Sequence, residues 1–230
     1  MALTDGLVSY WKCNDGTDAL GVNDLVATNA SFSSTYGKIG SGFNVTGNGY
    51  LRKGAASNMP TTEFSIGGWY HLSDLSVNSF LMCFGRDTGG AAGGLPLIFH
   101  AANGIFSAEC GSGVAHVNST TTPSLNTYYF IVYTCDGTTA KLYVNANQQG
   151  GNVSQGSGAA ASSPGFCIGA YLNGATPPLA NNYYHKGNGD ESFIYNRAIT
   201  QTEITQLYNN GAGLQYPFTI GNPGAFFQMF

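Results

Sequence analysis

The chain has 230 residues, enough for one large domain, and 43% of them are hydrophobic while only 9% are charged, against about 25% in an average protein. Its 8 basic and 12 acidic residues give a net charge of −4 without a basic cluster, which removes the phosphate-neutralising surface that nucleic-acid binding needs. No run approaches the roughly 18 apolar residues of a membrane span; residues 1–6 lack the basic start and apolar core of a secretion signal, so the expectation is assembly in a cytoplasm.

Residues 7–12 predict an opening strand with Tyr10 and Trp11 on opposite faces, followed by the acidic turn Asn14-Asp15-Gly16. Glycines crowd positions 37–47, where a chain corner needs positive φ or close backbone approach. Positions 64–72 alternate cleanly, with Phe64, Ile66, Tyr70 and Leu72 on one face. Positions 80–85 read as a strand, and the glycine-rich stretch after it lacks the Gly-Lys-Ser/Thr ending of a phosphate loop. Asn103-Gly104 and Asp136-Gly137 each divide two strand-like runs, and the first predicts a hairpin with a type I′ turn. Positions 147–163 read as a loop, 166–171 as a strand, and 171–186 as a long aromatic and amide-rich loop of the kind that is functional or disordered.

The strongest local signals stand near the end. Ser192 to Tyr195 alternate as a strand, and Thr200 with Glu203 predicts a capping box, stapled by Ile199 and Ile204 and closed by Gly211. Beyond it, positions 214–230 form a tail with Tyr216, Phe218, Phe226, Phe227 and Phe230, too aromatic to stand free in water and so expected to dock on its own domain or on a partner. Five cysteines without a Cys-x-x-Cys pair predict buried free thiols.

Gly189-Asp190-Glu191, residues 194–200, Glu203-Ile204 and the Leu207-Tyr208-Asn209-Asn210-Gly211 ending together resemble the closing motif of laminin-G-like domains, and fragments upstream match in order. The resemblance implies the concanavalin A-like lectin/glucanase fold, an all-β, two-sheet antiparallel jelly-roll sandwich over residues 1–213 with one short C-terminal helix. It also implies a structural Ca²⁺ held by Asp190 with backbone carbonyls from the first acidic turn at Asp15 and from the glycine stretch at 37–47. The alternative is that Asp190 accepts backbone amides and binds nothing. The ending over residues 208–218 is similar to that of stand-alone domains among tailed-phage structural proteins, which implies a place on a virion surface and contacts to other virion proteins through the tail.

Fold does not fix function, so the site residues have to carry it. A retaining glycosidase needs two carboxylates about 5 Å apart. Glu63, Glu109, Glu191 and Glu203 each lack an acidic partner two residues away, and adjacent Asp190 and Glu191 fall on opposite faces of a regular strand, so the expectation is a non-catalytic protein. Sugars are held by amide and hydroxyl hydrogen bonds and by stacking on aromatic rings. Tyr171, Asn173, Asn181, Asn182, Tyr183, Tyr184 and His185 are therefore the candidate glycan contacts, set against the plain reading that the tyrosines pack on the sandwich and the asparagines make turns.

Overall fold

The computed structural model describes residues 1–84, 96–109, 116–154, 165–172 and 183–219. Within them the period-two stretches become antiparallel strands: β1 (Leu7–Trp11), β2 (Val26–Ser33), β3 (Gly42–Lys53), β4 (Glu63–Leu72), β5 (Ser79–Phe84), β6 (Leu97–Ala101), β7 (Ile105–Glu109), β8 (Val117–Asn118), β9 (Tyr128–Asp136), β10 (Thr139–Val144), β11 (Asn147–Ser154), β12 (Phe166–Ile168) and β13 (Gly187–Tyr195). One helix, α1 (Gln201–Tyr208), follows.

The strands form one hydrogen-bonded path, β11-β10-β9-β4-β13-β3-β12-β5-β6-β7-β8, with β1 on β13 and β2 on β3. The expected two-sheet sandwich is thus a single ladder among the described residues, because β12 pairs with both β3 and β5 and bridges the halves. Its two halves still pack across a central core. Phe64, Ile66, Tyr70 and Leu72 of β4 and Tyr129, Ile131 and Tyr133 of β9 meet Leu81, Met82, Phe84, Ile98 and Phe106 from the other half, all buried.

Two smaller clusters lie on the outer faces. On the β4/β9/β13 side, Tyr10, Trp69, Phe130, Val132, Phe193 and Tyr195 are covered by Ile204 and Leu207 of α1. On the β5/β6/β12 side, Phe80, Cys83, Leu97, Cys167 and Tyr184 form the other cluster. Trp11 points into the central core and Tyr10 out of it, as strand alternation requires.

The capping box forms as read: the Thr200 hydroxyl accepts from the Glu203 amide at 3.3 Å and the Thr200 amide donates to Glu203 Oε2 at 2.8 Å. Arg197 adds a bidentate bond to the same carboxylate at 2.6 and 3.0 Å. Burial opposes ionisation of Glu203, but Arg197 and Thr200 outweigh it and hold the carboxyl down to about 2. The helix stops earlier than Gly211. Asn209 is the left-handed cap at φ 47°, because asparagine tolerates that region.

Other local expectations change. The supposed loop at 147–163 begins as β11, since a two-residue turn at Asn145 and Ala146, φ 50° and 62°, folds the chain straight back onto β10. The Asn103-Gly104 hairpin closes through a three-residue loop in which Gly104 alone is left-handed, rather than through a type I′ turn. Cys13, Cys83, Cys135 and Cys167 are free and buried; Cys110 lies outside the described residues.

Candidate functional site

In β5, one extra residue shifts the register between Phe80 and Met82, so Leu81 and Met82 both enter the central core while Phe80 stays outside. Phe80 pairs across the strand with Phe99, their rings stacked with centroids 5.2 Å apart. Beside them, residues 169–171 and 183–185 form a short antiparallel ladder: the Tyr171 amide donates to the Tyr183 carbonyl at 2.9 Å and the His185 amide to the Gly169 carbonyl at 2.7 Å. That ladder sets Tyr171 and Tyr183 side by side, with ring centroids 5.7 Å apart, and both lean on Phe80 at 5.2 and 5.6 Å. Tyr183 is 39% exposed, and Tyr171 and Phe99 are half-buried. At the rim, the His116 ring meets Phe99 edge-on, and His116 pairs with Glu109 at 3.0 Å.

The patch contains two of the predicted sugar contacts, Tyr171 and Tyr183. Two others are elsewhere. Tyr184 is buried and packs against Tyr50, on the inner side of the same cluster. His185 is fully buried: its Nδ1 lies 2.8 Å from Ser79 Oγ and its Nε2 3.0 Å from the Asn188 carbonyl. Burial pushes its pKa down to about 4 against the bond to Asn188, so it is a neutral structural residue and not a surface ligand. Asn173, Asn181 and Asn182 lie outside the described residues. Phe80 and Phe99 escaped notice because an apolar residue in a strand looks like core until the register is known.

The carboxylates of β13 depart from the expected alternation. In the pairing with β4 the register shifts between Asp190 and Phe193, and Glu191 sits there at φ 49°. Gly189 before the bulge packs on the Phe43 ring and Ser192 after it lies by Tyr70, both facing the central core. Asp190 and Glu191 consequently share the outer, helix-bearing face rather than opposite faces. Neither is open to a sugar. Asp190 accepts from the amides of Lys38 and Ile39 at 2.7 Å each and from that of Glu191 at 2.9 Å. Glu191 accepts from the Tyr10 hydroxyl and the Gln215 amide, and both carboxylates are buried. Burial and the Glu191 charge push Asp190 up to about 8 against its amide bonds, and burial pushes Glu191 up to about 7 against Tyr10 and Gln215.

Calcium takes oxygen ligands. Around Asp190 the structure places N–H donors, Asp15 is exposed and accepts from the Thr17 amide at 2.8 Å, and among the described residues no three His, Cys, Asp or Glu groups converge. Asp190 thus spends its oxygens on backbone amides, as the alternative reading of that residue has it. Tyr216 and Phe218, expected to dock on their own domain or on a partner, pack on Tyr10 of their own chain, with centroids 5.7 and 5.4 Å away. Phe226, Phe227 and Phe230 lie outside the described residues.

The architecture is a β-sandwich joined into one ladder, with an aromatic patch on one outer face. The family model Laminin_G_3, of the concanavalin A-like lectin/glucanases superfamily, matches residues 45–205. The chain belongs to that superfamily. Among solved structures it is similar to domain 4 of AbnA, a GH43 extracellular arabinanase from Geobacillus stearothermophilus, in complex with arabinotriose, at 18% identity and TM-score 0.65, covering 86% of this chain and 96% of that one. It is also similar to Trypanosoma rangeli sialidase in complex with sialic acid, at 19% identity and TM-score 0.68, covering 92% of this chain but 34% of the sialidase. The binding domain of Paraclostridial Mosquitocidal Protein 1 matches at 18% identity and TM-score 0.67, over 91% of this chain and 53% of that one. At such identities these likenesses speak to fold. No curated protein is similar enough in sequence to count as a relative.

Proposed function

We propose that this chain is a non-catalytic carbohydrate-binding module whose recognition face is the patch of Phe80, Phe99, Tyr171 and Tyr183. The observation that carries the reading is the Tyr183 ring, exposed and braced by two other rings on an outer sheet face where the central core has no need of it. An aromatic ring held at a fixed tilt offers a sugar its apolar C–H faces without much ordering cost. That fold neighbours hold arabinotriose and sialic acid adds weight by analogy. Burial of Asp190 and Glu191, with their lone pairs engaged inside the protein, supports the non-catalytic part. Display on a virion surface, which the ending at 208–218 suggests by resemblance, is the setting proposed for such a module; a decoration protein that binds no sugar is the competing reading.

The test is a glycan array probed with the protein displayed multivalently, since clustering raises avidity without new contacts. Saturable binding to a defined sugar class, lost in Tyr183→Ala while the melting temperature holds, supports the proposal. A blank array with folded protein favours the decoration reading. Release of new reducing ends from a bound glycan, abolished by Glu191→Gln, would show an enzyme instead.

A further inference from the structure

A polar cleft of about 740 Å³ opens between β2 and β3, away from the aromatic patch residues but reached by the same stretch of chain. That volume lies within the range of small-molecule sites. Its shape comes from an uneven pairing. Thr28 faces Tyr50 and Ala30 faces Val45, so Asn29 alone stands opposite residues 46–49, and the longer strand has to bow outward. Asn29 takes φ 47° and Gly47 φ 61° to allow this, and Gly49 backs so closely on the Asn29 carbonyl that any Cβ there would collide with it. Lys186, three residues beyond Tyr183, reaches across and donates to the Gly47 carbonyl at 2.8 Å.

The walls carry Asn29 and Ser31 on one side and Thr46 and Asn48 on the other. These four side chains have no hydrogen-bond partner among the described residues, so two amides and two hydroxyls are available to a ligand. Amides and hydroxyls both donate and accept, which suits a polyhydroxylated molecule. Among the described residues Lys186 is the only charged one in the lining, no ion pair engages it, and one of its three N–H groups is used by Gly47. No carboxylate among the described residues lines the cleft, so a neutral lining is biased toward an anion by a single ammonium.

We infer that this cleft binds a carboxylated sugar residue, a hexuronic acid being the simplest, with its carboxylate on Lys186 and its hydroxyls on the amides of Asn29 and Asn48. The inference rests on the carbohydrate-binding reading for the class of ligand and on the cleft alone for the charge. A glycan chain with acidic residues would then use Tyr183 for stacking and Lys186 for selection.

The experiment compares an oligogalacturonate with the same oligomer after reduction of its carboxyls to alcohols, by calorimetry and by NMR, on the wild-type chain, Lys186→Gln, Lys186→Arg and Tyr183→Ala. Wild type should prefer the acidic oligomer about tenfold, the size of one exposed charge-assisted hydrogen bond. Lys186→Gln should erase that preference and leave the reduced oligomer's affinity alone, while Lys186→Arg keeps most of it. Titration of the wild type should also move the Asn29 and Asn48 side-chain amide signals, a readout that needs no variant to fold. Equal binding of both oligomers, a preference that survives Lys186→Gln, or silent Asn29 and Asn48 signals would overturn the inference. If an array glycan binds through Tyr183 and the acidic oligomer does not bind, the inference fails and the carbohydrate-binding reading stands; if no glycan binds at all, both fail.

Discussion

Ala146 holds a backbone conformation that a Cβ resists. With Asn145 at φ 50° and Ala146 at φ 62°, the β10–β11 turn uses the geometry that an Asn-Gly pair adopts freely. The left-handed region costs an L-residue roughly 1–2 kcal/mol. Ala146→Gly should therefore raise unfolding stability by about 1 kcal/mol, offset a little by the entropy of glycine in the unfolded chain. An increased urea midpoint at unchanged slope is the expected result; a lower midpoint would mean that the alanine methyl, which packs at the edge of the outer cluster, matters more than the strain. Residue types were legible where chemistry alone selects them. Tyr171 and Tyr183 were readable as sugar-contacting types, whereas their neighbours Tyr184 and His185 were not separable from them, because which side of the 183–185 ladder faces water depends on pairing with 169–171.

At the scale of elements, one carboxylate joins the end of β13 to the start of α1. Glu203 accepts from Thr200 and Arg197 together, so it fixes both the start of α1 and the turn out of β13. Thr200→Ala should cost about 1 kcal/mol as a lost cap. Glu203→Gln should cost more, roughly 2–3 kcal/mol, because it also removes the carboxylate from Arg197, which keeps its bond to the Asp5 carbonyl. Thermal melts of the two variants check the order; an equal loss would assign all of it to the cap. The capping box was plain in the sequence because it is built from residues three apart. The bulges were not. Leu81 and Met82 share the inner face, and Asp190 and Glu191 the outer one, only because β5 and β13 each gain an irregularity against a partner remote in sequence. The cleft beside Lys186 is hidden for the same reason, since it exists only where β2 and β3 pair unevenly.

For the whole molecule, the buried acids set how stability responds to pH. Asp190 and Glu191 have folded values of about 8 and 7, above the usual carboxylate range. Their favourable contribution is complete below about pH 4 and is lost as pH rises through 7 to 8, because unfolding then releases groups that prefer to be ionised in water. Glu203, held at about 2, acts in the opposite sense: its contribution is present at neutral pH and disappears as the solution approaches pH 2. For these three acids together the maximum should fall at about pH 4, where the gain from Glu203 is nearly complete and the loss from Asp190 and Glu191 begins. A melting profile from pH 3 to 10 should show an alkaline decline that Glu191→Gln flattens; a wild-type melting temperature that climbs from pH 6 to 9 would contradict the burial of these acids. Chelator should leave the whole profile in place, since the groups that meet the Asp190 oxygens are N–H donors.

The aromatic patch and the segment at 214–218 sit on opposite outer faces, with the central core between them. Immobilisation is therefore directional. A sensor chip or bead that grips the protein from the Tyr216 and Phe218 side would leave the tyrosines looking into the flow, whereas random amine coupling would consume Lys186 and blind the cleft on some of the molecules. Orientation of the attachment would thus change the apparent activity of an identical preparation, and any binding assay on this chain has to be read with its tether in view.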